Sequence, residues 1–493
     1  MNNLSQLIAS LNGSEKAYFK RWVPKTGKEK DYLRLFDLID RKPDIDSTAL
    51  RVNLKLNSKQ LSSLKNHLWQ TLLSSLRDYH RKHSLYIDLR SKQDHIQVLR
   101  LKGQLQLAEK EALRLIKYCS DVQAFTSRYR ALEQLEGIYI SAGSSDANWD
   151  WVYSEKRSCL HHLAQRDRMR EIERKLAQVT IMQGVSGEQL SSKNVKKQLD
   201  GIEAELVELA PSNETSVDVR YRFYQINAII GRIRFDHERE FEHFRKVLDL
   251  GNEFPRICER LFINFYGVCI HNLIIASFLT ARFDGVPELL ERLRLQKLET
   301  EEWRLRNFYF LTHDTLAYLH LVGKFEEGLS YWENVRDEVE ETTAFNLIES
   351  SQILFLGAVL QFWNGKFKET RKSLNQLLSI KNLTEENLSA CRMLSLVVAY
   401  EIEDRDHLEH LIRSYNRIWQ QNRTTKGLEL IVTKYLSKWC STPERYDVER
   451  FLSEVETCIE NPLEHNKLFF FDLKSYLEKQ LINSAKKNDL EEL

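Results

Sequence analysis

Residues 261–281 read LFINFYGVCIHNLIIASFLTA, the longest span of this 493-residue chain without an Asp, Glu, Lys or Arg. A segment apolar on nearly every side is either a membrane span or a helix buried among other helices. About 20 residues suffice to cross a bilayer. Here, however, Asn264, His271 and Asn272 interrupt the run, and Arg260 and Arg282 flank it symmetrically, so no charge bias orients a span. The expectation is a core helix and no membrane association.

The run ends at Ala281-Arg282-Phe283, a small residue followed two positions later by an aromatic, and the helix-like LERLRLQKL comes after it. Gly323 precedes Phe325 and Gly365 precedes Phe367 in the same way. Glu403 and Arg405 form a more divergent copy, and the steps between origins are 42, 42 and 38 residues. Periods of this size mark helical hairpins stacked in series. Five, nine and twelve residues beyond each origin stand Val286, Gly328, Thr370 and Leu408, then Leu290, Trp332, Leu374 and Ile412, then Leu293, Val335, Leu377 and Tyr415. These positions share one face of a second helix. Seven residues before each origin are Ile274, Leu316, Ala358 and Leu396, and six before are Ile275, Ala317, Val359 and Val397, so the first helix is expected to pack more deeply. An earlier copy starts at Gly103, with Leu105, Ala108, Ala112 and Leu115.

This pattern resembles the tetratricopeptide repeat, in which a glycine at the hairpin turn is followed by an aromatic and by small residues along the second helix. The resemblance implies an all-α fold, an α-α hairpin superhelix of the tetratricopeptide-like solenoid type. It also implies a concave groove lined ten, three and two residues before each origin. Those positions hold His271, His313, Phe355 and Met393, then Phe278, His320, Phe362 and Tyr400, then Leu279, Leu321, Trp363 and Glu401. An aromatic and histidine-rich strip suits a protein or peptide partner, because aromatic side chains give contact area with few rotors to freeze. The same residues would equally serve as core between repeats. Substituting Phe362 and Trp363 separates the two readings.

Seven prolines and 17 glycines are few for this length, which disfavours strand-and-turn folds. Seven cysteines, an odd number with no Cys-x-x-Cys pair, point to free thiols in a reducing compartment, and the cytoplasm is expected. The N-terminus has no basic start followed by an apolar core, so no signal peptide is read. The net charge of +1 conceals an asymmetry: residues 1–100 carry 19 Lys and Arg against 10 Asp and Glu.

That basic portion, residues 1–95, is expected to be a helical bundle capping the repeats. Within it, a short helix near residues 46–56, a turn at Asn57-Ser58 and a long amphipathic helix from Lys59 form a helix-turn-helix-like unit. Its polar stripe includes Lys59, Asn66, Gln70, Arg77 and Arg81, residue types that contact bases and phosphates, so a nucleic-acid-associated regulator is the alternative function. SEKAYFKRW and YLRLFDLID are similar to the start of a set of uncharacterised bacterial helical-repeat proteins. That resemblance implies no activity and a bacterial origin. Repeats are expected over residues 96–440 with a joint at 182–217, where apolar density drops, and capping helices with a polar tail over 441–493.

No phosphate-cradling loop, dinucleotide fingerprint, zinc-protease or nucleophile-elbow motif is present. His80 with His83, Cys159 with His161 and His162, and Asp404 with His407 and His410 each lack further ligands of one signature. The expectation is a non-enzymatic scaffold without cofactor or metal.

Overall fold

The computed structural model describes residues 3–491 apart from 24–28, 83, 144–147, 182–192, 213–214, 262–264, 297–300, 342–346, 382, 384, 422–426 and 443–446. Among the described residues every regular element is a helix. The chain divides into two compact units, Met1–Ala164 and Gln165–Leu493, and the division falls within the helix Trp149–Ile181. The boundary expected at residues 95 and 96 lies inside the helix Leu85–Leu101.

The first unit opens with five helices, Asn3–Ala9, Gly13–Trp22, Glu29–Arg41, Ser47–Leu54 and Ser58–His80. Their shared core includes Ile8, Phe19, Phe36, Leu50, Leu68 and Leu72. The second helix is capped by Asn12. The Asn12 side chain accepts from the Glu15 amide, and Glu15 accepts from the Asn12 amide, each at 2.9 Å. Asn57 and Gln60 form the same capping box ahead of the helix Ser58–His80. Leu85–Leu101, Leu105–Asp121 and Phe125–Ala142 then pack consecutively, burying Ala108, Ala112 and Leu115.

In the second unit the hairpins follow one rule. First helices Phe265–Leu279, Glu301–Leu321, Leu347–Trp363, Glu385–Glu401 and Leu428–Ser441 pack each against the next. Second helices Val286–Arg294, Phe325–Glu341, Phe367–Ser379 and Arg405–Gln421 each lie between their own first helix and the following one. Val286, Thr370, Leu408, Trp332, Leu374 and Leu377 are buried, as the stripe requires. Val335 is only partly buried; Val339, one turn later, fills the core instead, on the longer helix Phe325–Glu341.

All five repeat origins take a left-handed backbone: φ is 69° at Gly103, 52° at Ala281, 75° at Gly323, 73° at Gly365 and 59° at Glu403. Each turn closes identically, the next amide reaching back five residues: Gln104 to the Leu99 carbonyl, Arg282 to Ser277, Lys324 to Leu319, Lys366 to Gln361 and Asp404 to Ala399. This is the Schellman closure of a helix end. Gln123 and Phe235 adopt the same conformation, with Ala124 bonded to Cys119 and Asp236 to Gly231, two turns that the repeat pattern did not mark.

The uncharged run is divided between the helices Pro255–Leu261 and Phe265–Leu279, with residues 262–264 outside the description. Pro255 therefore opens a short preceding helix. Ile270, Ile274, Ala276 and Phe278 are buried in the hairpin core, and no described helix is long and apolar enough to cross a membrane. Of the expected joint, residues 182–192, 213 and 214 lie outside the description. The helix Lys193–Val207 within it packs Leu199, Ile202 and Leu206 with Met169 and Leu176. All seven cysteines are free thiols.

Candidate polypeptide-binding strip

A left-handed turn after the first helices Phe265–Leu279, Glu301–Leu321, Leu347–Trp363 and Glu385–Glu401 sets the register of each following helix, so residues at one offset recur along one line. Two turns of helix separate the positions ten and three before the origin, which puts them on the same face. The residues named along that line divide into two groups.

At the earlier end, His271 of the helix Phe265–Leu279 meets Asp314 of the helix Glu301–Leu321. His271 Nδ1 lies 2.9 Å from both Asp314 oxygens, and His313 Nδ1 lies 2.9 Å from Oδ1. With a carboxylate between them, both imidazoles donate from Nδ1. Asp314 is fully buried and both histidines are mostly so. Burial alone would raise the Asp314 pKa, but His271 and His313 outweigh it and hold the carboxyl below its usual value. The His271 ring also stacks on Phe310 at 4.3 Å. Asp314 stands beside a residue chosen for the strip, yet the repeat pattern did not single it out.

At the later end a later segment of the same chain covers the line. The chain finishes in a short 3-10 turn, Asn466–Phe469, and the helix Leu473–Glu491, and this segment lies over the first helices. Phe471 meets Phe362 edge-on at 5.2 Å and Trp363 at 6.0 Å, and Phe470 meets Phe355 at 6.3 Å. Tyr476 donates its hydroxyl to Glu401 Oε1 at 2.5 Å, and Gln480 donates to the same oxygen at 2.6 Å. The Lys479 ammonium sits over the Trp363 ring at 5.6 Å. Beneath the segment His320 is buried, with neither ring nitrogen hydrogen-bonded. Burial pushes its pKa down to about 4, against the opposing pull of Asp472.

Phe278, Phe355, Phe362 and Met393 are thus buried, Phe278 and Met393 within the hairpin cores and Phe355 and Phe362 also against the terminal segment. Tyr400 is half-buried and turns its ring edge to Trp439 of the helix Leu428–Ser441. The segment is rooted by buried charges. Lys467 Nζ bridges Glu429 at 2.7 Å and Glu464 at 2.9 Å, Glu429 accepts from the Ser389 hydroxyl, and Glu464 accepts from the Leu428 amide. The sequence signal for this covering was the Leu468–Phe471 run, too apolar to be left in water.

In the first unit, Lys59, Asn66, Gln70, Arg77 and Arg81 are all exposed, and Arg77 pairs with Asp78 at 3.4 Å. The turn before them uses Lys55 in the left-handed region, φ 54°, where a glycine is usual.

No protein-family model matches the chain, and no curated protein sequence matches it. Among solved structures it is similar to a crystal structure of NprR in complex with its cognate peptide NprX, at 12% identity and a TM-score of 0.42, over 73% of this chain and 97% of that one. The chain is an all-helical hairpin-repeat protein, tetratricopeptide-like in its turns and in the alternation of deep first helices with striped second helices.

Proposed function

We propose that the chain is a non-enzymatic repeat protein that takes a segment of polypeptide along its first-helix strip. The occupant has adjacent aromatic residues followed by a short helix bearing Tyr and Gln. The observation that carries this reading is the terminal segment itself, whose Phe470, Phe471, Tyr476 and Gln480 engage Phe355, Phe362, Trp363 and Glu401. Aromatic anchors in desolvated pockets with a polar clamp beside them are the usual energetic centre of such contacts. A partner in trans competes with this tethered copy, so its apparent affinity is reduced by the fraction of chains whose strip is open.

The test titrates a labelled peptide of residues 466–482 into the full chain and into its Phe471→Ala variant. The variant is expected to bind at least about tenfold more tightly, because it frees the strip. Adding Trp363→Ala is expected to remove that binding. A peptide that binds neither chain, or binds the Trp363→Ala chain equally well, overturns the proposal.

A second reading concerns the exposed face of Lys59, Asn66, Gln70, Arg77 and Arg81, favoured by its place after a short helix and a tight turn. On this reading the full chain binds duplex DNA with a steep salt dependence, and Arg81→Ala lowers the slope by about one. No binding at low salt ends it.

A further inference from the structure

A fully buried carboxylate needs a cation beside it, since an isolated charge in a protein interior is strongly unfavourable. His271 and His313 each place Nδ1 2.9 Å from this carboxylate, so a metal ion held among the three residues would supply the compensating charge. Their geometry accommodates the metal. One donor atom from each of His271, His313 and Asp314 can be chosen so that all three lie within 4.8 Å of one another. Zinc holds imidazole nitrogen and carboxylate oxygen at about 2.0–2.2 Å, which sets tetrahedral neighbours roughly 3.3–3.5 Å apart. The Nδ1 to carboxylate distances of 2.9 Å need to open by only a few tenths of an ångström to admit an ion.

We infer that His271, His313 and Asp314 form a site for a divalent transition metal of the zinc class, joining two successive repeats. Two imidazoles with one carboxylate select zinc, nickel, cobalt or copper over calcium and magnesium, which take oxygen ligands. Nδ1 of each histidine and one Asp314 oxygen supply three positions, and water fills the fourth. The ligands come from different first helices, so the ion ties one hairpin to the next. Both histidines keep some exposure, which gives the ion a path in. The inference is independent of what the strip binds, since it concerns the earlier end and not the segment over Phe362.

The experiment uses the full chain stripped with chelator and titrated with zinc chloride in a calorimeter, with bound metal counted after gel filtration. One zinc per chain is expected, together with a raised melting temperature. His313→Gln is expected to weaken binding by about 100-fold or more, beyond the 10–100-fold usual for residues that only support a ligand. Asp314→Asn, which preserves shape, is expected to weaken it similarly while the chain keeps its helical circular dichroism. Cobalt in place of zinc is expected to give the visible d–d bands of a low-coordinate site, absent in both variants. No saturable zinc binding by the wild-type chain overturns the inference, and so does zinc held unchanged by His313→Gln and Asp314→Asn.

Discussion

Gly357 lies against the indole of Trp332: a Cβ built on it would stand 2.5 Å from Cε2 of that ring. The contact joins the helix Leu347–Trp363 to the preceding second helix, and the ring is buried and has nowhere to swing. In an unpacked helix Gly→Ala stabilises by about 1 kcal/mol. Here overpacking, worth about 1–3 kcal/mol, opposes and exceeds it. Gly357→Ala is expected to lower stability by about 1–2 kcal/mol in urea unfolding. A gain would mean that the hairpins pack more loosely than described.

Ala281 and Gly323 occupy the same turn position with φ of 52° and 75°. An L-residue there carries about 1–2 kcal/mol of strain that glycine escapes. Ala281→Gly should therefore raise the melting temperature, and Gly323→Ala should lower it by a comparable free energy of about 1 kcal/mol. Opposite signs at equivalent positions are the checkable result.

Lys467 serves two carboxylates, Glu429 and Glu464, both buried. Burial alone would lower its pKa, but Glu429 and Glu464 outweigh that and raise it. Lys467→Met leaves both acids without their cation, and loss of about 3–5 kcal/mol is expected at neutral pH. Urea unfolding of the two proteins at neutral pH will show it.

His320 links pH to the covering of the strip. Its pKa is about 4 when covered, with Phe325 6.1 Å away and Asp472 the charged group acting on it. Lifting the segment so that the ring meets water is expected to return it toward the ordinary value of about 6.5. A depressed base stabilises the covered state fully above about pH 6.5 and loses that stabilisation as pH falls toward 4. Hydrogen exchange at amides of residues 476–480, after correction for intrinsic rates, should show opening about tenfold more populated at about pH 5.5 than at about pH 7.5. His320→Leu should abolish the difference.

The hairpins were legible because their turns are chemically forced. Left-handed backbone favours small residues, and an alanine and two glycines at 42-residue steps exposed the period. Gln123 and Phe235 make the same turn without that signature, so helix packing and not residue type selects their conformation. The offsets of His271, His313 and Phe355 follow from the repeat step alone, because successive first helices pack side by side. What lies on it was not. Asp314 joins His271 across 43 residues, and Phe471 reaches Phe362 from the far end of the chain; no periodicity encodes such contacts.

Whether the first-helix strip holds polypeptide by aromatic anchors is read by photo-crosslinking. The labelled 466–482 peptide carries benzoylphenylalanine in place of Lys479, an exposed residue whose ammonium sits over the Trp363 ring, and the Phe471→Ala chain keeps Trp363. The cross-link is expected on the helix Leu347–Trp363 and not on the helix Phe367–Ser379. Capture on Phe367–Ser379, or peptide bound without any cross-link to Leu347–Trp363, would contradict it.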